Sequence, residues 1–239
     1  MFWTGVALFS KQVNLRAVIM KTGKEAYFTS ENIQAEAHGM LALLGELKAR
    51  RSPPALSPSA ALLVLDMQDY FLNPDSHAFV PSAAAIVPGI KRLAAAFAGS
   101  GKPVFYTRHI NDGENAANMG TWWREVITEK NPLSAISAQL DSLGGLVILK
   151  SQYDAFYRTS LNDLLVDFMV DQVVICGVMT HLCCESTARS AFMRGYEVLF
   201  AVDGTATYNR AYHQASLLNL SHGFAVPVLL SELLAELGG

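Results

Sequence analysis

Ala61-Leu62-Leu63-Val64-Leu65-Asp66 is an apolar run of strand length that ends in a carboxylate. Two later runs have the same form: Leu146-Val147-Ile148-Leu149 ends at Lys150, and Val173-Val174-Ile175-Cys176-Gly177-Val178 continues to Cys183. Because the carboxyl ends of parallel strands lie along one edge of an α/β sheet, these three side chains can meet there. An acid, a cation and a thiol at one point form a set suited to covalent hydrolysis.

The chain from Ser59 onward alternates between strand-length apolar runs and helical patterns. The runs cover 61–66, 103–107, 146–150, 172–178, 197–202 and 225–230, and the helical patterns cover 86–98, 160–169, 184–194 and 210–222. Such alternation is typical of βαβ units, in which right-handed crossovers place helices on both faces of a parallel sheet. The longest gap, 108–145, is a loop of the kind that often shapes an active site.

Residues 1–58 differ in texture from the rest and are predicted to form an N-terminal extension. The extension contains a β-hairpin pattern over 13–24, a helical pattern that starts at Ser30 as N-cap and continues to Leu47, and a proline-rich linker over 51–58. We expect it to pack either on the sheet domain, residues 59–239, or on a neighbouring subunit, because an isolated strand pair is marginally stable.

Composition excludes several classes of protein. The chain has 239 residues, a formal net charge of -3 and no Lys/Arg cluster, so nucleic acid is not an expected partner. No apolar stretch reaches membrane-spanning length, and the N-terminus lacks the basic start of a signal peptide, so we expect no membrane association. The three cysteines, two of them adjacent, do not form a disulfide pattern, and they favour a cytoplasmic location.

Cys183 follows a strand and is predicted to open a helix. The partial positive charge of a helix N-terminus, with Lys150 nearby, would lower the thiol pKa, and Asp66 would take or share the proton. Taken alone, a buried cysteine is more often a small hydrophobic residue, which is our interpretation of Cys176 and Cys184. The catalytic interpretation of Cys183 depends on the coincidence of three strand ends in one sheet.

Three segments resemble the motifs of the isochorismatase-like cysteine hydrolases, in the same order: residues 60–71, 150–161 and 177–188. The resemblance covers the chain from about residue 60 and implies a three-layer α/β/α sandwich, Rossmann-like, with a six-stranded parallel sheet. It implies Cys183 as nucleophile, Asp66 as general base and acid, and Lys150 as the neighbouring cation. It also implies a cis peptide at Val178-Met179, with the backbone N–H groups of Met179 and Cys183 forming the oxyanion hole.

The resemblance also bears on cofactors and on the substrate pocket. The nicotinamide-hydrolysing branch of that family has an Asp-x-His metal site after the second strand, where this chain has Thr107-Arg108-His109. We therefore predict no metal and no other cofactor, since one histidine does not make a metal site. The candidate substrate-binding residues are Gln68, Phe71, His109, Trp122, Trp123, Tyr153, Phe156 and Tyr157.

Three hypotheses for function follow. The first is a metal-independent cysteine hydrolase that cleaves an amide or carbamoyl C–N bond of a small molecule through a Cys183 thioester. The second is an isochorismatase-type vinyl-ether hydrolase in which Asp66 is the acid and Cys183 a bystander. The third is a non-catalytic binding or scaffold module, because a fold alone does not prove activity. A homo-oligomer is expected, since many members of the family are oligomers.

Overall fold

The computed structural model describes residues 23–45, 55–123, 125–141 and 144–238. Most of the hairpin predicted over 13–24, and residues 51–54 of the predicted linker, lie outside these ranges. The strands are β1 (Ala60–Leu65), β2 (Val104–His109), β3 (Leu146–Lys150), β4 (Gln172–Val178), β5 (Glu197–Ala206) and β6 (Val226–Val228).

Nine α-helices occur in the described part of the chain. They are α1 (Ile33–Leu43), α2 (Asp69–Leu72), α3 (Ala83–Gly99), α4 (Met119–Trp122), α5 (Ala138–Asp141), α6 (Leu161–Asp167), α7 (Glu185–Met193), α8 (Arg210–Gly223) and α9 (Leu230–Glu236), with a 3₁₀ turn at Pro132–Ser134 and a π-helical turn at Thr180–Cys184. Within the described ranges, no helix has the length and apolar character needed to cross a membrane.

The six strands form one parallel sheet in the order β3-β2-β1-β4-β5-β6, which confirms the predicted three-layer α/β fold. All six residues of the central strand β1 are buried, as expected for a strand covered on both faces. The strand order reverses between β1 and β4, and the crevice at such a reversal is where parallel α/β sheets bind ligands. Asp66 follows β1 at this point.

Two strand ends differ from the sequence prediction. Strand β5 continues to Ala206 rather than ending near residue 202, and β6 is confined to Val226–Val228. The extension of β5 places Asp203 inside the sheet, where its carboxylate accepts a hydrogen bond of 2.8 Å from the backbone N–H of Leu230. The sequence did not predict this part of β5, because aspartate is uncommon in strands and the hydrogen bonds that stabilise it here come from residues distant in the chain.

The described part of the N-terminal extension packs on the sheet domain, which decides between the two alternatives left by the sequence. Tyr27, Phe28 and Met40 belong to the common buried core. Gln34 donates a hydrogen bond of 3.0 Å to Asp203, and Glu36 forms an ion pair with Arg210. The extension is therefore part of the same folded unit over these residues.

The predicted start of the extension's helix is wrong. Helix α1 begins at Ile33, after Asn32 at the N-cap position, and is assigned over Ile33–Leu43. The predicted helix end at Leu47 lies outside the described residues. The hydroxyl of Ser30 donates to Glu31 at 2.6 Å, so it does not cap the helix. Ser and Asn side chains can each satisfy turn or cap donors locally, so the sequence pattern leaves the choice between Ser30 and Asn32 open.

Gly177 is required where β4 passes β1. It pairs with Leu65, has a φ of 115°, and an added Cβ would lie 2.1 Å from the Leu65 carbonyl oxygen. No other residue can occupy this position without moving the backbone that leads into Asp66.

We predict that Gly177→Ala lowers the free energy of unfolding by about 3 kcal/mol or more, because it adds both a steric clash and a disfavoured φ. Chemical denaturation monitored by circular dichroism measures the change. The matched control is Gly39→Ala on α1, where an added Cβ meets no atom within 4 Å. That variant should be more stable by about 0.5–1 kcal/mol, and an equal loss in both variants would contradict the prediction.

Candidate active site

Asp66, Lys150 and Cys183 meet at the carboxyl edge of the sheet, as the strand ends predicted. The Lys150 Nζ lies 2.7 Å from Asp66 Oδ2 and 3.3 Å from Cys183 Sγ. The side chains of Asp66 and Lys150 are fully buried, and Cys183 is 6% exposed. The Cys183 sulfur also lies within 4.8 Å of an Asp66 carboxylate oxygen. The three groups therefore form one contiguous charged and nucleophilic cluster.

Asp66 is held in a fixed orientation by Thr107 on the adjacent strand β2. The Thr107 hydroxyl donates to Asp66 Oδ1 at 2.5 Å and accepts from the Asp66 backbone N–H at 3.0 Å. Asp66 has a φ of 49°, a left-handed conformation that aspartate tolerates better than most residues. Sequence analysis did not identify Thr107 as a site residue, because its role depends on the register of β1 against β2.

Lys150 is held by a second set of acceptors. Its ammonium donates to the Gln152 carbonyl at 3.0 Å and contacts His109 Nδ1 at 3.2 Å. His109 Nε2 lies 2.9 Å from Asn111 Oδ1, an acceptor, so the proton of this ring is on Nε2 and Nδ1 accepts from Lys150. Burial, together with the Lys150 charge, lowers the pKa of His109 to about 4 and keeps the ring neutral. His109 therefore positions Lys150. Asn111, which is hydrogen bonded to His109, was not among the site residues predicted from the sequence.

The opposite charges in the cluster offset the effect of burial on the pKa values of Asp66 and Lys150. Burial by itself would raise the pKa of Asp66, but the charge of Lys150, in contact at 2.7 Å, outweighs it, so the pKa is lowered. Burial would lower the pKa of Lys150, but Asp66 and Cys183 raise it. At neutral pH the pair is therefore an ionised carboxylate and an ammonium.

The expectation of a lowered thiol pKa is wrong for the resting enzyme. Burial, and next the Asp66 carboxylate, raise the pKa of Cys183 to about 12, with Lys150 acting in the opposite direction. Cys183 also does not open an α-helix: it lies in the π-helical turn Thr180–Cys184, and α7 begins at Glu185. The resting group is therefore a protonated thiol.

The cluster does not suit a metal ion. Asp66, His109 and Cys183 offer ligand atoms within 4.8 Å of one another, and no other group of three such residues occurs in the described ranges. The Lys150 ammonium contacts all three side chains, at 2.7, 3.2 and 3.3 Å, so a cation already occupies their centre. Both His109 ring nitrogens are engaged, and Thr107 is bonded to Asp66, so the Thr107-Arg108-His109 segment does not form the metal site of the nicotinamide-hydrolysing branch.

A cavity opens beside the cluster, with Cys183 in its wall. Its empty volume, including the part open to solvent, is about 560 Å³. Four of the eight substrate-binding candidates line it: Phe71, His109, Trp123 and Tyr153. Met179, predicted for the oxyanion hole, lines it as well, and the Val178-Met179 peptide is cis, as the resemblance implied.

The other four candidates lie elsewhere. The Gln68 side chain is buried and bonds the backbone of His109 and Ser134, so it links the end of β2 to the 3₁₀ turn rather than facing the cavity. Phe156 stacks on Tyr196, while Trp122 is 78% exposed and Tyr157 is 45% exposed. None of these four is among the residues that line the cavity.

Sequence analysis missed most of the remaining cavity wall. The missed residues are Tyr70, His77, Ala78, Asn111, Met119, Glu125, Val126, Ile127, Leu182 and Tyr208. Five of them, Asn111, Met119 and residues 125–127, belong to the long gap 108–145 that was expected to shape the site. Tyr208 follows β5, whose end was predicted too early.

We predict that Asp66→Asn makes Cys183 react faster with iodoacetamide at pH 8, although it removes the carboxylate predicted to act as general base. Removing the carboxylate lowers the thiol pKa, so the thiolate fraction rises about tenfold for each pKa unit. Because a thiolate of lower pKa is also a weaker nucleophile, the alkylation rate rises only about threefold for each unit. Lys150→Met should have the opposite effect. Mass spectrometry of the Cys183 peptide measures the rate at each pH.

In the unsubstituted protein, the same measurement should show a rate that still rises above pH 9, because the thiol pKa is about 12. Glu114→Gln, at an exposed position whose backbone N–H bonds only within its own turn, is the control and should leave the profile unchanged. Faster alkylation in both Asp66→Asn and Lys150→Met would contradict the assigned charges.

Comparison with known proteins agrees with this geometry. The chain is 36% identical over 189 residues to Nicotinamidase 3 of Arabidopsis thaliana, covering 77% of this chain and 91% of the relative. It is 30% identical over 193 residues to Isochorismatase of Bacillus subtilis (strain 168), covering 74% of this chain and 58% of that protein. A cysteine hydrolase from Pseudomonas syringae pv. phaseolicola superposes with a TM-score of 0.72 at 26% identity, covering 79% of this chain and 99% of the other.

The Isochorismatase domain family model matches residues 60–232, which include all three members of the Asp-Lys-Cys cluster. With its parallel sheet, its buried triad and these relatives, the chain belongs to the isochorismatase family of hydrolases.

Proposed function

We propose that this hydrolase cleaves the C–N bond of an amide or carbamoyl group in a small molecule through a Cys183 thioester. The proposal is carried by one observation: the Cys183 thiol lies within 4.8 Å of an ionised carboxylate and 3.3 Å from an ammonium, in the wall of a cavity. A carboxylate next to a thiol can remove its proton as the sulfur attacks.

The acylation step uses Asp66 twice. As Cys183 Sγ bonds to the carbonyl carbon, the thiol proton moves to Asp66, and the Lys150 ammonium stabilises the developing negative charge on sulfur. The carbonyl oxygen becomes an oxyanion that accepts hydrogen bonds from the backbone N–H groups of Met179 and Cys183. The C–N bond then breaks, and Asp66 returns the proton to the leaving nitrogen.

Hydrolysis of the thioester restores the enzyme. Water attacks the thioester carbonyl while Asp66 takes one of its protons, and the C–S bond breaks. Asp66 then gives that proton to the departing sulfur, which yields the Cys183 thiol and the acid product. Because the thiol pKa is about 12, free thiolate does not accumulate, and proton transfer to Asp66 accompanies attack.

The cavity lining favours a flat, apolar acyl group next to the scissile amide. Aromatic side chains supply much of its wall: Phe71, Trp123, Tyr153 and Tyr208. Trp123 Nε1 donates to the Tyr153 hydroxyl at 2.8 Å, so these two rings are fixed relative to each other. Aromatic rings stack on flat groups in preferred offset or edge-on geometries. The similarity to a relative named as a nicotinamidase supports an amide substrate.

Vinyl-ether cleavage is the second candidate, and a relative named Isochorismatase keeps it open to test. That reaction needs Asp66 as a proton donor at the start. Lys150, 2.7 Å away, together with the other members of the cluster, holds the pKa of Asp66 below its ordinary value despite burial. The resting carboxylate is thus prepared to accept a proton, which favours the cysteine route.

We predict that Cys183→Ala abolishes hydrolysis across a panel of small amides, with a loss of at least about 1000-fold, because the nucleophile is gone. Ammonia release measures turnover, and acid-quenched samples of the unsubstituted enzyme should carry the acyl group on the Cys183 peptide. Isochorismate belongs in the same panel. Pyruvate release that persists in Cys183→Ala would support the vinyl-ether candidate and contradict the thioester route.

A homo-oligomer and a cytoplasmic location stay predictions. The exposed side chains of Leu146, Val147 and Leu149 on the edge strand β3 support the first, because a second copy would cover them. Analytical ultracentrifugation of Val147→Lys against the unsubstituted chain tests this, with a shift towards monomer as the expected result.

A further inference from the structure

The described start of the N-terminal extension contacts residues that line the active-site cavity. The matched family domain begins at residue 60, so residues 23–28 lie outside it. We propose that this segment completes the substrate cavity, with Lys24 and Tyr27 as positioning residues for Tyr208 and for the nucleophile turn Thr180–Cys184. The inference rests on the proposed function in one respect, namely that substrate binds in this cavity.

Lys24 joins two separate parts of the cavity wall. Its ammonium donates a hydrogen bond to the carbonyl of His77 and lies 4.5 Å from the centroid of the Tyr208 ring. His77 and Tyr208 both line the cavity that contains Cys183. A cation over a tyrosine ring is attracted by the negative face of the ring, so Lys24 fixes the orientation of Tyr208 relative to the loop at His77.

The backbone of Tyr208 is held by the same segment. The Glu25 N–H donates to the Tyr208 carbonyl at 2.8 Å, and the Glu25 carboxylate accepts from the Arg210 N–H at 2.6 Å. Asn209 donates to the Gly23 carbonyl at 3.2 Å. Both the ring and the main chain of Tyr208 are thus bonded to the extension, which makes the position of this aromatic wall depend on it.

Tyr27 reaches the nucleophile turn through Thr207. Its buried hydroxyl accepts from the Thr207 N–H at 2.9 Å and contacts His213 Nδ1 at 2.9 Å. The Thr207 hydroxyl lies 2.6 Å from Nδ1 of His181, which belongs to the turn that carries Cys183. His181 also stacks on Tyr212, with ring centroids 4.5 Å apart. Tyr27 therefore fixes Thr207, and Thr207 fixes the turn.

The test compares two alkylating reagents on the full-length protein. Iodoacetamide is small, whereas N-phenyliodoacetamide carries a ring that must be accommodated by the aromatic wall. We expect Lys24→Met to lower the ratio of the aromatic to the small reagent's rate at Cys183 by about fivefold, because Tyr208 loses its cation. Lys24→Arg, which keeps a cation and a donor, should return the ratio to within about twofold of the unsubstituted value.

The matched control is Glu31→Gln, at an exposed position just beyond that segment, whose side chain contacts its neighbour Ser30 in the turn. It should leave both rates unchanged. A ratio in Lys24→Met equal to that of the control would overturn the proposal. Because alkylation needs no turnover, this result is independent of whether an amide is the substrate.

A second variant tests the role of Tyr27 and also serves if Lys24→Met does not fold. Tyr27→Phe keeps the buried ring and removes the hydroxyl, so the iodoacetamide rate itself should change by about threefold as the nucleophile turn shifts. With an amide substrate in hand, Lys24→Met should raise KM at nearly constant kcat, whereas Tyr27→Phe should lower kcat. Unchanged rates in Tyr27→Phe would remove Tyr27 from the proposal.

Discussion

The structure depends on providing hydrogen-bond acceptors and a counter-charge for one buried ammonium group. Lys150 is fully enclosed, and a lone buried charge costs several kcal/mol, so its position requires acceptors that offset the loss of water. Asp66, Cys183, His109 and the Gln152 carbonyl surround it within 3.3 Å. The same contacts that make this charge tolerable also place the nucleophile, its base and a neutral histidine in fixed positions.

Because the cluster satisfies its own charges, each group has a protonation state that matches a step of the reaction. The ion pair with Lys150 keeps Asp66 ionised and able to receive a proton. The Asp66 carboxylate in turn raises the pKa of the Cys183 thiol, which stays protonated at rest. A thiol stored in this form is protected from oxidation, which proceeds through thiolate. In the proposed mechanism, proton transfer from the thiol therefore accompanies attack on the substrate.

The N-terminal extension connects this site to a part of the chain that lies outside the family domain. Its buried residues share the common core, and its polar contacts end at Tyr208 and Thr207, beside the cavity and the nucleophile turn. A segment added to a catalytic domain in this way can change which molecules fit without altering the catalytic groups. This separation agrees with function residing in sites rather than in folds.

The sequence by itself determined the parallel α/β fold and the three catalytic candidates, because apolar runs and the reactive residues that follow them are local patterns. Four of the eight pocket candidates also line the cavity. The raised thiol pKa and the contacts of Thr107, Asn111 and Gly177 are visible only in the folded chain. The same is true of the contacts that Lys24 and Tyr27 make beside the cavity. Each of these depends on strand register, on burial or on a contact between residues distant in the chain, and none of those quantities is encoded in local periodicity.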